Sequence, residues 1–208
     1  MQTNHSVDET RLTLTDQMRV RFKGVLDTIG TFLNRLGINP NTLTMIGLAG
    51  NFIGAFFLAQ GKFLIGGLII LSMGPVDALD GTMARLRGEP SEFGGFVDSV
   101  VDRYSELIIY GGLLVYYINA DNPLLISLTF VAAAGSFLVP YVRARAEGLG
   151  FNAKVGILTR MERFLILTPS LVLSIPWLGI GIVALFANIT AFQRIFSVRK
   201  QAREMENE

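Results

Sequence analysis

Residues 63–84 read FLIGGLIILSMGPVDALDGTMA, an apolar run that ends on two aspartates, Asp77 and Asp80. Phe63 to Val76 supplies only 14 uncharged residues. A helix needs about 20 to cross a bilayer core of roughly 30 Å. The run therefore spans a membrane only if the helix continues through its acidic residues to about residue 84. The stretch after Glu106 poses the same problem: Leu107 to Ile118 offers 12 uncharged residues and spans only as about 96–118. Both readings place carboxylates inside membrane helices near one face, where ionisable side chains are costly and functional by default.

The remaining spans are simpler. Leu43 to Ala59 and Asn122 to Val142 carry no charge, and Phe164 to Gln193 runs 30 residues without one. That last run is too long for one crossing at about 1.5 Å per residue. The Ser-Ile-Pro-Trp-Leu-Gly stretch at 174–179 is expected to break it into a hairpin, with Trp177 at an interface. Ahead of the first span, Met18, Phe22, Val25, Leu26, Ile29, Phe32, Leu33 and Leu36 recur at helical spacing with Arg19, Arg21, Lys23 and Arg35 between them. This predicts an amphipathic helix lying in the membrane interface. Asn39 and Pro40 then read as an N-cap and a first helical residue. The predicted fold is all-α and integral to the membrane, with six transmembrane helices behind an amphipathic interfacial helix. The first thirty residues are too polar for a signal peptide. The chain reads as one domain: a tail and juxtamembrane helix over 1–40, a six-helix bundle over 41–198 and a polar tail over 199–208.

Composition agrees. Of 208 residues, 50% are hydrophobic and 17% charged, against roughly 25% charged in soluble domains, and mean hydropathy is +0.46. A net charge of +1 does not direct the chain to nucleic acid. The absence of cysteine excludes disulfides and thiolate chemistry, and a single histidine excludes His-rich metal sites. Sixteen of the 18 Lys and Arg residues fall on the side shared by both termini, which the positive-inside rule makes cytoplasmic. The carboxylates cluster at that end of a multi-pass protein of the cell membrane.

Asp77, Asp80, Gly81 and Ala84 share one helical stripe, and Asp98, Asp102 and Glu106 another. The short loop from Leu86 to Phe93 predicts that these two spans are antiparallel neighbours with four aspartates converging. Crowded carboxylates repel unless cations neutralise them. An all-oxygen set favours Mg²⁺, Mn²⁺ or Ca²⁺, and four aspartates suit two ions. The small residues Gly81, Ala84, Gly94 and Gly95 suit close helix packing and, equally, close approach of a nucleotide.

Asp77-x2-Asp80-Gly81-x2-Ala84-Arg85, eight residues, then Gly94-x3-Asp98-x3-Asp102 fills every fixed position of one signature. On these residues the chain resembles the CDP-alcohol phosphatidyltransferases over about 35–198. The resemblance implies a homodimeric enzyme, dependent on Mg²⁺ or Mn²⁺ with two ions, that displaces CMP from a CDP-linked lipid with an alcohol. It implies that Asp77, Asp80, Asp98 and Asp102 bind metal and that Asp102 is also the general base. It further implies that Asp77, Gly81, Ala84, Arg85 and Ser91 line the CDP-lipid site. Asn41 and Thr44 would contact the CDP portion, or serve only to start their helix.

The acceptor is read from three basic stretches: Tyr141-Val-Arg143-Ala-Arg145-Ala-Glu-Gly, Thr159-Arg160-Met-Glu-Arg163 and Gln193-Arg194. They are similar to the phosphatidylinositol-phosphate synthase branch, which implies that Arg143, Arg160 and Arg194 grip the phosphate of inositol phosphate. Guanidinium forks suit that task. The same arginines could obey the positive-inside rule or meet lipid headgroups instead. Arg143 stands where a Lys is frequent, and Met161 where a Pro is. Other acceptors (glycerol phosphate, serine), a CDP-inositol donor and, outside the family, a cation transporter are the alternative readings. A transporter fits poorly, because its acidic ligands belong at the membrane midplane.

Overall fold

The computed structural model describes residues 14–88 and 92–206, with side chains from residue 21 onward. Among these residues the regular structure is all helix: α1 Leu14–Arg35, α2 Pro40–Ala59, α3 Phe63–Leu86, α4 Glu92–Asn119, α5 Pro123–Glu147, α6 Arg160–Val172 and α7 Pro176–Glu206. Four of them, α2, α3, α5 and α7, are long and apolar enough to cross a membrane. The charges at the start of α4 and the 13-residue length of α6 keep those two below that standard. The expected break in the long uncharged run falls at 173–175, where Ser174 takes a left-handed φ of 58° and Ile175 N donates to Ser170 O at 2.8 Å.

The apolar residues sort by face. Leu58, Ile70, Leu113, Leu171, Ile180 and Val183 are at most 1% exposed and form one core shared by α2, α3, α4, α6 and α7. Large apolar side chains such as Phe52, Phe56, Phe130 and Phe192 point outward. Such an apolar surface is stable only against lipid or another apolar partner. A smaller cluster of Leu43, Leu79 and Met83, with Leu26, Leu33, Ile38 and Val76 packed on it, joins α1, α2 and α3 at the end that bears the aspartates.

The structure refines several expectations. The helices α3 and α4 bring their carboxylate ends together but do not pack side by side along their lengths, because α2 packs against both. Glycine makes this possible: a Cβ on Gly112 of α4 would strike the Ala55 carbonyl of α2, and one on Gly66 of α3 would stand 2.8 Å from Gly54 O of α2. The span expected to end at Val142 runs further, because α5 passes through Pro140, Arg143 and Arg145 and stops at Glu147, before Gly148, which leaves a connection over 148–159. Asn39 holds the N-cap position in front of Pro40, but its side chain makes no capping hydrogen bond. It accepts instead from Arg87 Nη1 at 3.2 Å. The same guanidinium donates to Asn34 Oδ1 at 2.7 Å and Ile38 O at 2.6 Å, so it ties the α1–α2 corner to the end of α3. Beyond the predicted bundle, α7 continues as helix to Glu206.

Candidate active site

Asp77 of α3 and Asp98 and Asp102 of α4 each offer a carboxylate oxygen within 4.8 Å of the others. Asp98 and Asp102 are one turn apart on α4, so both reach the same point. Asp77 meets them from α3 although the helices diverge around α2. Asp80, one turn further along α3, lies outside this group of three. It is buried against α2, where Thr44 Oγ1 donates to its Oδ2 at 2.6 Å and Gly81 N donates to its Oδ1 at 2.5 Å.

Arg160 completes the cluster. Its Nη1 is 3.0 Å from Asp77 Oδ2 and its Nη2 is 2.6 Å from Asp102 Oδ1. The second approach is an ion pair without hydrogen-bond alignment, so the buried Asp102 Oδ1 has no hydrogen-bond partner. Arg103 stands 3.6 Å from Asp102 Oδ2 and donates to Ser99 O at 2.5 Å. Local sequence sets Arg160 at the first position of α6: Thr159 N donates to Glu162 Oε2 at 2.8 Å, the reciprocal cap of a Thr-x-x-Glu start. Three clustered carboxylates, with oxygens within 4.8 Å of one another, form an all-oxygen set that fits a hard divalent cation.

The other expected residues are scattered more widely. Asn41 is exposed at the start of α2, while Gly81 and Ala84 are partly buried on α3. Arg85 Nη2 donates to Thr82 Oγ1 at 2.9 Å. Ser91 lies outside the described residues. Arg143 is on the surface of α5 and pairs with Glu147 at 2.9 Å. Arg194 is 4% exposed, and its Nε and Nη1 donate to Val155 O at 2.9 Å and Val139 O at 2.6 Å. It lies within Coulombic reach of Arg143 and of Arg163. Of the three arginines assigned to the acceptor, only Arg160 touches the carboxylates.

Sequence reasoning missed two features. Arg163 of α6 places Nη2 at 2.7 and 3.0 Å from the two oxygens of Glu106 on α4, in the interior one turn from Asp102. Charges flanking apolar runs that must be buried could have signalled a pair, since buried charges require partners. The connection 148–159 is also held to α7: Leu158 N donates to Thr190 Oγ1 at 3.0 Å, and Gln201 exchanges hydrogen bonds with the Asn152 backbone at 2.9 and 2.6 Å. No motif marks those contacts.

The family model described as CDP-alcohol phosphatidyltransferase matches residues 37–196. An archaetidylinositol phosphate synthase of Pyrococcus horikoshii is 37% identical over 189 residues, covering 89% of this chain and 96% of that one. A phosphatidylinositol phosphate synthase of Streptomyces avermitilis is 32% identical, covering 90% and 83% respectively. The crystal structure of Mycobacterium tuberculosis phosphatidylinositol phosphate synthase with CDP-DAG bound superposes with a TM-score of 0.78 at 28% identity, covering 84% of this chain and 93% of that one. The same enzyme in complex with manganese and citrate gives 0.76 at 30% identity, covering 83% and 88%.

Proposed function

This chain belongs to the CDP-alcohol phosphatidyltransferase family, and within it we propose that it transfers a phosphatidyl-type group from a CDP-linked lipid to inositol phosphate, releasing CMP. The product is a phosphoinositide precursor for phospholipid biosynthesis, with diacylglycerol or archaeol as its lipid part. The acceptor hydroxyl attacks the phosphorus that bears the lipid, and the bond from that phosphorus to the bridging oxygen breaks. CMP leaves with that oxygen. Asp102 takes the hydroxyl proton. The observation that carries this reading is the convergence of Asp102 with Asp77 and Asp98, carboxylate oxygens within 4.8 Å of one another, with the Asp102 Oδ1 ion-paired to Arg160 at 2.6 Å. A general base must stand within reach of the proton it takes.

Asp77, Asp98 and Asp102, with Asp80 beside them, would hold divalent metal, Mg²⁺ or Mn²⁺, in a two-ion arrangement. Bound there, the metal offsets charge developing on the phosphoryl oxygens. Thr44 orients Asp80 through its 2.6 Å hydrogen bond. Asn41, Thr44, Asp77, Gly81, Ala84, Arg85 and Ser91 form the CDP-lipid site. Arg143, Arg160 and Arg194 supply positive charge for the acceptor's phosphate, Arg194 while held by backbone carbonyls of α5 and of the 148–159 connection.

The helices α2 to α7 are the six crossings, and α1 lies in the cytoplasmic interface of the cell membrane. Its exposed Phe22, Val25, Phe32 and Leu36 support that placement. Both termini and the carboxylates share the cytoplasmic side, and the enzyme works as a homodimer. The purified protein, given CDP-diacylglycerol or CDP-archaeol and Mg²⁺, should release CMP with inositol phosphate well above glycerol phosphate, serine or inositol. Equal or greater turnover with any of these would replace the acceptor.

A further inference from the structure

The guanidinium of Arg160 bridges two carboxylates from different helices, Asp77 of α3 and Asp102 of α4. Both belong to the group of three that suits a divalent ion. A guanidinium at 3.0 and 2.6 Å covers the oxygens that such an ion would need. Arginine does not deprotonate, so it cannot yield its place by losing charge. It can only move. The means are at hand: its side chain is 44% exposed, while Asp102 beneath it is 8% exposed. Its backbone sits at the first turn of α6, pinned by the Thr159–Glu162 cap, so the side chain can withdraw without moving the helix. Of the neighbouring guanidiniums, Arg163 is engaged with Glu106, and Arg103 donates to Ser99 O while standing 3.6 Å from Asp102 Oδ2, so Arg160 is the one that bridges Asp77 and Asp102.

We propose that Arg160 is the resident counter-cation of Asp77 and Asp102, that divalent metal binds by displacing it, and that the displaced guanidinium then meets the anionic acceptor. Metal and acceptor thereby strengthen each other's binding, a coupling that is reciprocal by necessity. The second half rests on the phosphate-bearing acceptor proposed above, whereas the first does not. One residue thus keeps the crowded carboxylates neutralised before the metal arrives and recruits the acceptor afterwards.

Mn²⁺ binding to the full chain in detergent micelles, read from the electron paramagnetic resonance of free Mn²⁺, tests this without turnover. Arg160→Gln should bind Mn²⁺ about tenfold more tightly than the wild type, because the guanidinium that bridges Asp77 and Asp102 then no longer competes. Arg160→Lys, which keeps a charge but cannot span both carboxylates, should fall between, and it decides the matter if the Gln variant does not fold. Unchanged or weaker Mn²⁺ affinity in the variant so chosen overturns the counter-cation. Adding inositol phosphate should tighten Mn²⁺ binding to the wild type and leave Arg160→Gln unaffected. No tightening in the wild type overturns the handover alone. Failure of inositol phosphate as a substrate in the turnover assay would instead strike the proposed acceptor and leave the metal measurement standing.

Discussion

Arg163 Nη2 reaches both carboxylate oxygens of Glu106, an ion pair that ties α6 to α4 one helical turn from both Asp102 and Arg160, with Arg163 only 4% exposed. Arg163 Nε and Nη1 have no hydrogen-bond partner, so Glu106 is its main compensation. Removing one member of such a pair strands the other charge. Arg163→Met or Glu106→Gln alone should lower stability by about 3 kcal/mol, while the double variant should recover part of that loss. Thermal unfolding in detergent measures all three, and strictly additive losses would mean that the two side chains act independently.

Asp102→Asn should abolish turnover while CDP-lipid binding stays measurable. Asparagine keeps the size of the side chain but cannot accept the acceptor's proton. Turnover above about a tenth of wild type would remove Asp102 from the role of base.

Excess chelator should stop the reaction and Mg²⁺ or Mn²⁺ should restore it, since the clustered oxygens of Asp77, Asp98 and Asp102 need a cation to bring phosphate near. Asp77→Ala should mimic chelation, and added metal should not rescue it. Full turnover in chelator would sink the metal-dependent mechanism.

Arg143 and Arg194 should separate sharply. Arg194→Leu removes two hydrogen bonds to backbone carbonyls and should cost about 3 kcal/mol in stability. Arg143→Gln breaks only an exposed pair with Glu147, so it should change stability by less than about 1 kcal/mol. Its KM for inositol phosphate should rise about tenfold while the CDP-lipid KM holds. Equal effects on both substrates would return Arg143 to a topological or lipid-facing role.

Gly112→Ala should destabilise the fold by about 3 kcal/mol, because a Cβ there meets the Ala55 backbone rather than a movable side chain. A melting temperature equal to wild type would show that the α2–α4 contact can open.

Helices and family were legible from the sequence, because each depends on local order along one chain. Hydropathy marked the runs that became α2, α3, α5 and α7, and the turn near Ser174 followed from the length of an uncharged run. Fixed spacing along α4 was enough to put Asp98 and Asp102 on one face. What periodicity cannot carry is which helices touch. A short connection between α3 and α4 suggested neighbours, yet Gly54, Gly66 and Gly112 admit α2 between them. That insertion leaves Asp77 with α4's pair while Asp80 turns to Thr44. Likewise three arginines read alike in sequence, as basic residues near one membrane face. Only packing assigns one to the carboxylates, one to the surface and one to buried backbone carbonyls, because a guanidinium's partners are set by the elements brought to it in space.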